Sequence, residues 1–299
     1  MNRQQLDRRT FLAAGAAATS LLCSRPGLAL GADQPAKKPK LKKAVKYAMI
    51  AGNDSIEDKL NLVKDLGFLG VEMDSPSDID FPAAAAASKK TGVEIHGIID
   101  SVHWQIRLSD PDAEVRAKAV KALRGALADA HTVGASTVLL VPGKVSDPQH
   151  ENFDQVWERS TAEVRKLIPE AKKLGVKIAI EVVWNDFITT KEQLVKYVDQ
   201  FDDPTVGAYF DCSNMVKYGV PPAEWIRALG ERMLKFDFKG YSHKNKWVPI
   251  GEGDENWPDV LAALAEIGYD GWATAEVAGG GRQELAEVSA RMDKVLGLG

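Results

Sequence analysis

Only two cysteines, Cys23 and Cys212, occur in 299 residues, too few for a disulfide-stapled domain. Beyond residue 31 there is no run of about 18 uncharged apolar residues, which leaves no candidate transmembrane segment. No G-x-G-x-x-G follows the first β-branched run, which argues against a dinucleotide fold; Gly279-Gly280-Gly281 reads as a loop. What is present is ordinary globular composition: 45% hydrophobic, 27% charged, 25 Gly and 14 Pro.

The N-terminus is the most legible segment. Asp7-Arg8-Arg9-Thr10-Phe11-Leu12 sets an arginine pair before the Ala-rich run Ala13–Leu22, and small residues follow at Ala29, Gly31 and Ala32. This order reads as a twin-arginine signal over residues 1–31, which implies the Tat export machinery as a partner and a periplasmic address. Leu22 before Cys23 is not the small residue that lipidation requires. Residues 32–42, with Gln34-Pro35-Ala36-Lys37-Lys38-Pro39-Lys40, read as a polar linker, and 43–299 as one catalytic domain. The leader holds four arginines and one aspartate, so the remainder carries 34 basic and 41 acidic residues, a net −7 against −4 for the whole chain. An acidic protein is a poor ligand for nucleic acid.

From Lys43 onward, short β-branched runs alternate with amphipathic segments. The runs are Val45–Ile50, Gly70–Met73, Val93–Ile99, Thr137–Val141, Lys177–Val183, Val206–Phe210, Met233–Phe238 and Trp272–Val277. Between them fall helix-like stretches, among them Asp112–Val133, where Val115, Ala119, Leu123, Leu127 and Ala130 form one apolar stripe. Gly67, Gly92, Gly134, Gly175 and Gly268 stand where left-handed helix caps are wanted. Eight β-then-α units in about 250 residues predict a single (β/α)8 TIM barrel.

Such a barrel keeps its chemistry at the carboxyl ends of its strands. Glu181, Asp211, Asp237 and Glu276 each stand inside or at the end of an apolar run on four consecutive strands. A single one would be read as an acid paired with a neighbouring Lys or Arg, and Asp237 has Lys235 and Lys239 beside it. Four converging on one mouth predict a cation held by oxygen ligands, with Mn²⁺ or Mg²⁺ the expected divalent metal ion. Glu72 reads as a polar contact in the same cleft. His103-Trp104 offers a proton donor beside a flat platform for a sugar ring, and Trp184-Asn185 adds a second aromatic and an amide able to bind hydroxyls. Trp247 and the loop Ile250–Asp254 are placed to close over the mouth, whereas His131 and His150 read as surface residues.

At these residues the sequence resembles the sugar phosphate isomerase/epimerase superfamily, the xylose-isomerase-like barrels. The pieces are His103-Trp104 with Leu108-Ser109-Asp110-Pro111, Ile180-Glu181-Val182-Val183-Trp184-Asn185, Phe210-Asp211-Cys212-Ser213-Asn214, Phe236-Asp237-Phe238-Lys239-Gly240-Tyr241, Gly251-Glu252-Gly253-Asp254, and Gly268-Tyr269-Asp270-Gly271-Trp272 ahead of Glu276. The resemblance implies metal ligands at Glu181, Asp211, Asp237 and Glu276, with Glu181 and Glu276 also moving the proton. The family usually has histidine where this chain has Asp237, and some members have one where it has Asn214, a position assigned to substrate contact. A fourth carboxylate tilts the expected ion from Zn²⁺ toward Mn²⁺ or Mg²⁺.

The chemistry implied is removal of the proton beside a carbonyl through an enediolate, with His103 or Lys239 assisting at a leaving oxygen. The first reading is a metal-dependent isomerase or epimerase of a non-phosphorylated carbohydrate. A lyase that β-eliminates from a 3-keto-glycoside or dehydrates an inosose is the alternative, and a non-catalytic sugar-binding protein a further one. An abasic-site endonuclease, which shares the barrel, would need more than the five histidines present. The resemblance also implies a homo-oligomer.

Overall fold

The computed structural model describes residues 38–298. The expected leader over 1–31, and the linker as far as residue 37, lie outside the described residues.

Eight parallel strands close into a barrel. In chain order they are β1 (Lys42–Lys46), β2 (Gly70–Ser75), β3 (Glu94–Asp100), β4 (Thr137–Leu140), β5 (Lys177–Glu181), β6 (Val206–Asp211), β7 (Met233–Phe238) and, after a short hairpin, β10 (Trp272–Ala275). β10 pairs with both β1 and β7, so no sheet edge remains in the barrel. The major helices are α1 (Ile56–Asp65), α2 (Phe81–Thr91), α3 (Ala113–Val133), α4 (Phe153–Leu174), α5 (Lys191–Asp199), α7 (Pro222–Leu229), α8 (Trp257–Glu266) and α9 (Arg282–Leu296). Local chemistry fixes their ends: Asp80, Asp112, Asn152 and Thr190 accept backbone N–H bonds as N-caps, while Gly92, Gly134 and Gly175 close α2, α3 and α4 in left-handed geometry. On α3, Ala119, Leu123, Leu127 and Ala130 are buried, and Val115 half-buried, as the stripe predicts.

The first strand departs from expectation. It runs over Lys42–Lys46, not Val45–Ile50, and Tyr47–Met49 form a 3₁₀ turn. Its lysines disguise it. Lys43 reaches outward to Asp293 of α9 at 2.6 Å, and Lys46 points into the barrel. Two further elements have no counterpart in the sequence reading: the one-turn α6 (Cys212–Val216) and the hairpin of β8 (Tyr241–Ser242) and β9 (Lys246–Trp247).

Strand alternation sends every second side chain inward. Here the inward positions are polar to an unusual degree. Lys46, Glu72, Tyr209, Asp237 and Thr274 meet in the barrel interior, above a layer in which His96 stacks on Trp272 at 4.4 Å and contacts Lys235 Nζ at 3.2 Å. The alternate positions, such as Phe236 and Phe238, join the apolar core beneath the helices.

The first and eighth loops meet backbone to backbone. Gly280 N–H donates to Met49 O at 2.9 Å and Ala51 N–H to Gly280 O at 3.0 Å. At Gly279 a Cβ would collide with the Met49 carbonyl. Gly279→Ala is therefore expected to cost about 2 kcal/mol, seen as a melting temperature lower by about 4–8 °C.

Candidate active site

The carboxyl ends of the strands surround a cavity of about 610 Å³. Of the four carboxylates expected at the strand ends, Glu181 and Glu276 line it and Asp211 lies within reach of both. Glu181 ends β5 and is buried; Asp211 ends β6; Glu276 follows β10 directly, its side chain 43% exposed. One oxygen from each lies within 4.8 Å of the others. Asp211 is fixed by capping α6, since its Oδ1 accepts from Ser213 N at 2.8 Å and Asn214 N at 3.0 Å. Its other oxygen contacts Lys239 Nζ, which also lies 2.8 Å from Glu276 Oε2.

Asp237 is not part of this cluster. Thr274 pairs in register with Asp237, so Glu276 and Lys239 each stand two residues further toward the mouth. Asp237 instead lies 2.8 Å from Lys46 Nζ and accepts from Phe238 N at 2.7 Å. It pairs with neither Lys235 nor Lys239: the first donates to the His96 carbonyl at 3.0 Å, and the second serves the cluster above.

Glu72 is corrected in the same way. It is fully buried, 2.6 Å from Lys46 Nζ, and accepts from Tyr209 Oη at 2.9 Å, so it braces the interior and does not line the cavity. Asp74, two residues on, does. Asn185 also turns away, donating to Gly143 O at 2.6 Å and accepting from Phe187 N at 3.2 Å, which ties the β4 and β5 loops together. His103, Trp104, Trp184, Asn214 and Lys239 all line the cavity. Trp184 donates to Asn214 O at 2.7 Å and stacks on Trp247 at 4.8 Å between centroids. Trp247 reaches the mouth as expected. Of the loop behind it, Asp254 braces the hairpin by accepting from His243 N at 2.7 Å. His131 and His150 are exposed.

Sequence reading missed Lys46 and Asp74 as lining residues. The available signal was the one used elsewhere, a charge at the end of an apolar strand, but placing the first strand three residues late hid Lys46.

The electrostatics separate the two glutamates. Burial pushes the Glu181 carboxyl well up, and the nearby Glu276 charge adds to this. Burial also opposes ionisation of Glu276, but Lys46 and Lys239 outweigh it and leave that group below the usual carboxylate range. Burial likewise works against the Lys46 ammonium, and Asp237 and Glu72 more than reverse it, holding Lys46 charged. The same balance, with Asp211 and Glu276 as partners, raises Lys239.

Three converging carboxylate oxygens form a hard donor set that fits a divalent ion such as Mn²⁺ or Mg²⁺.

His103 is lowered to about 4 by burial, so at neutral pH it is an uncharged imidazole and not a cationic acid. Its Nδ1 is buried with no hydrogen-bond partner. Because the unfolded chain takes up this proton near pH 6.5 and the folded chain only near 4, stability is full above the first value. It falls as pH drops toward the second, by at most about 3 kcal/mol from this residue. His103→Gln should lose less stability than wild type between pH 7 and 4.5 in urea titrations.

With this geometry established, comparison with known proteins identifies the fold's relatives. An uncharacterized protein of Methanocaldococcus jannaschii is 24% identical over 192 residues, 61% of this chain and 64% of that protein. The D-psicose 3-epimerase of Ruminiclostridium cellulolyticum is 28% identical over 212 residues, 67% of this chain and 69% of the enzyme. Among solved structures, IolI with a bound zinc atom superposes with a TM-score of 0.74 at 17% identity, covering 86% of this chain and 99% of that one. The sequence pattern of one family matches residues 60–294, which is most of the barrel. The chain therefore belongs to the xylose isomerase-like TIM barrel family.

Proposed function

We propose that this protein is an isomerase or epimerase that removes and returns a proton beside the carbonyl of a non-phosphorylated carbohydrate. The observation that carries this reading is the glutamate pair. Two carboxyl groups share one cavity floor, and their surroundings push their proton affinities in opposite directions. Glu276, held ionised by Lys239 and Lys46, is the base. Glu181, whose burial favours the protonated form, is the donor. A divalent ion held by Glu181, Asp211 and Glu276 would supply electrophilic stabilisation of the enediolate oxygens. Lys239 adds a fixed positive charge beside Glu276. Trp104, 42% exposed at the mouth, offers a flat face to a sugar ring, and neutral His103 a hydrogen-bonding edge.

A free sugar suits this mouth better than a phosphorylated one. At the N-terminus of α9 the Gly281 N–H is bound by the Glu284 carboxylate at 3.0 Å, a negative charge that disfavours a phosphate there. Read as an export leader, residues 1–31 would also carry the chain away from phosphorylated cytoplasmic metabolites. The epimerase relative supports the same reaction class.

The test is solvent exchange. In D₂O with Mn²⁺, ketohexoses or other keto-sugars should take up deuterium at the carbon next to the carbonyl, followed by proton NMR. Glu276→Gln and Glu181→Gln are each expected to slow that exchange by about 10²–10⁴-fold. Uptake left unchanged in both variants would contradict the assignment.

A further inference from the structure

The reaction cavity does not end at Glu276. A second cavity of about 670 Å³ lies beside it, and Lys239, Trp247, Glu276, Val277 and Gly279 line both. The two compartments therefore join at the groups assigned to proton transfer. Each alone falls within the range of about 300–1,000 Å³ typical of a small-molecule site, so one sugar ring on the carboxylate floor leaves the second unfilled.

The chemistry of the second compartment differs from that of the first. Val248, Pro249, Ile250, Val277, Ala278 and Val288 of α9 line it. Its charged groups are already satisfied. Arg291 binds Glu252 at 2.8 Å, Glu287 at 3.0 Å and Ile250 O at 3.3 Å, while Glu284 is committed to Gly281 N. Among the described residues no cation is free there to meet a phosphate, and the apolar lining favours an apolar body. Trp247, 49% exposed and held by its stack on Trp184, stands at the junction of the two compartments.

We infer that the second compartment is an aglycone subsite: the substrate is a keto-sugar glycoside whose reacting ring lies on the carboxylate floor and whose apolar substituent occupies the compartment lined by Val248, Pro249 and Ala278. This rests on the proposed keto-sugar reaction for its first ring, and extends it by naming what that ring carries.

Binding tests the subsite and solvent exchange tests the reaction, on the same samples of Mn²⁺-supplemented full-length protein. The probes are methyl and phenyl 3-keto-glucopyranosides, each in both anomers, measured by calorimetry and by deuterium uptake. In the wild type one phenyl glycoside should bind at least about tenfold more tightly than its methyl counterpart, the order expected for removing a phenyl face from water. Ala278→Trp, and separately Val248→Trp, should bring that ratio close to one, with melting curves confirming that each variant is folded. A ratio near one in the wild type, a ratio unmoved by either tryptophan, or no binding of any glycoside would overturn the subsite. Exchange without phenyl preference would overturn the subsite alone. Phenyl preference without exchange would support the subsite and count against the reaction.

Discussion

Everything at the mouth of this barrel stands on Lys46. Its ammonium lies 2.6 Å from Glu72 and 2.8 Å from Asp237, both fully buried. Either carboxylate left alone in that interior would cost several kcal/mol, and breaking such a pair by removing one partner typically costs about 3–5 kcal/mol. Barrels of this kind usually fill their centre with branched apolar side chains. Here a polar layer does so: one ammonium is shared by two carboxyl groups, burial pushes Asp237 up to about 8, and Tyr209 supplies a further hydrogen bond to Glu72.

That layer determines what the layer above can be. With Asp237 committed to Lys46, three carboxylates and Lys239 remain at the floor of the cavity. Their unequal burial gives the floor its chemical direction: Glu181 is enclosed and favours its proton, whereas Glu276 lies close to two ammonium groups and releases it. Two residues of the same type thereby differ in proton affinity from position alone. The aromatic side chains above them, Trp104, Trp184 and Trp247, shape the entrance.

Much of this was legible in the sequence. The (β/α)8 architecture followed from alternating periodicity, and the cluster of Glu181, Asp211 and Glu276 from the cost of placing charges at the ends of apolar strands. Two of the errors, at Glu72 and Asp237, share one physical origin. Strand parity says which residues point inward, but not how deep a strand is seated in the barrel. Glu72 and Asp237 have the right parity but are taken up by Lys46 in the barrel interior. Lys46 has it too, but its strand was placed three residues late because lysines interrupt the apolar pattern. Asn185 was misread because an amide that ties two loops together has the same sequence appearance as one that binds a sugar hydroxyl. The β8–β9 hairpin, with two residues per strand, is too short for periodicity to register.

The central claim is that the mouth holds one three-carboxylate cation locus with Asp237 excluded from it. The most direct measurement is anomalous diffraction from crystals grown with Mn²⁺. The account predicts a single peak within bonding distance of Glu181, Asp211 and Glu276, with Asp237 still paired to Lys46. A peak that recruits Asp237 away from Lys46, or crystals saturated with Mn²⁺ that show no peak at this floor, would contradict it.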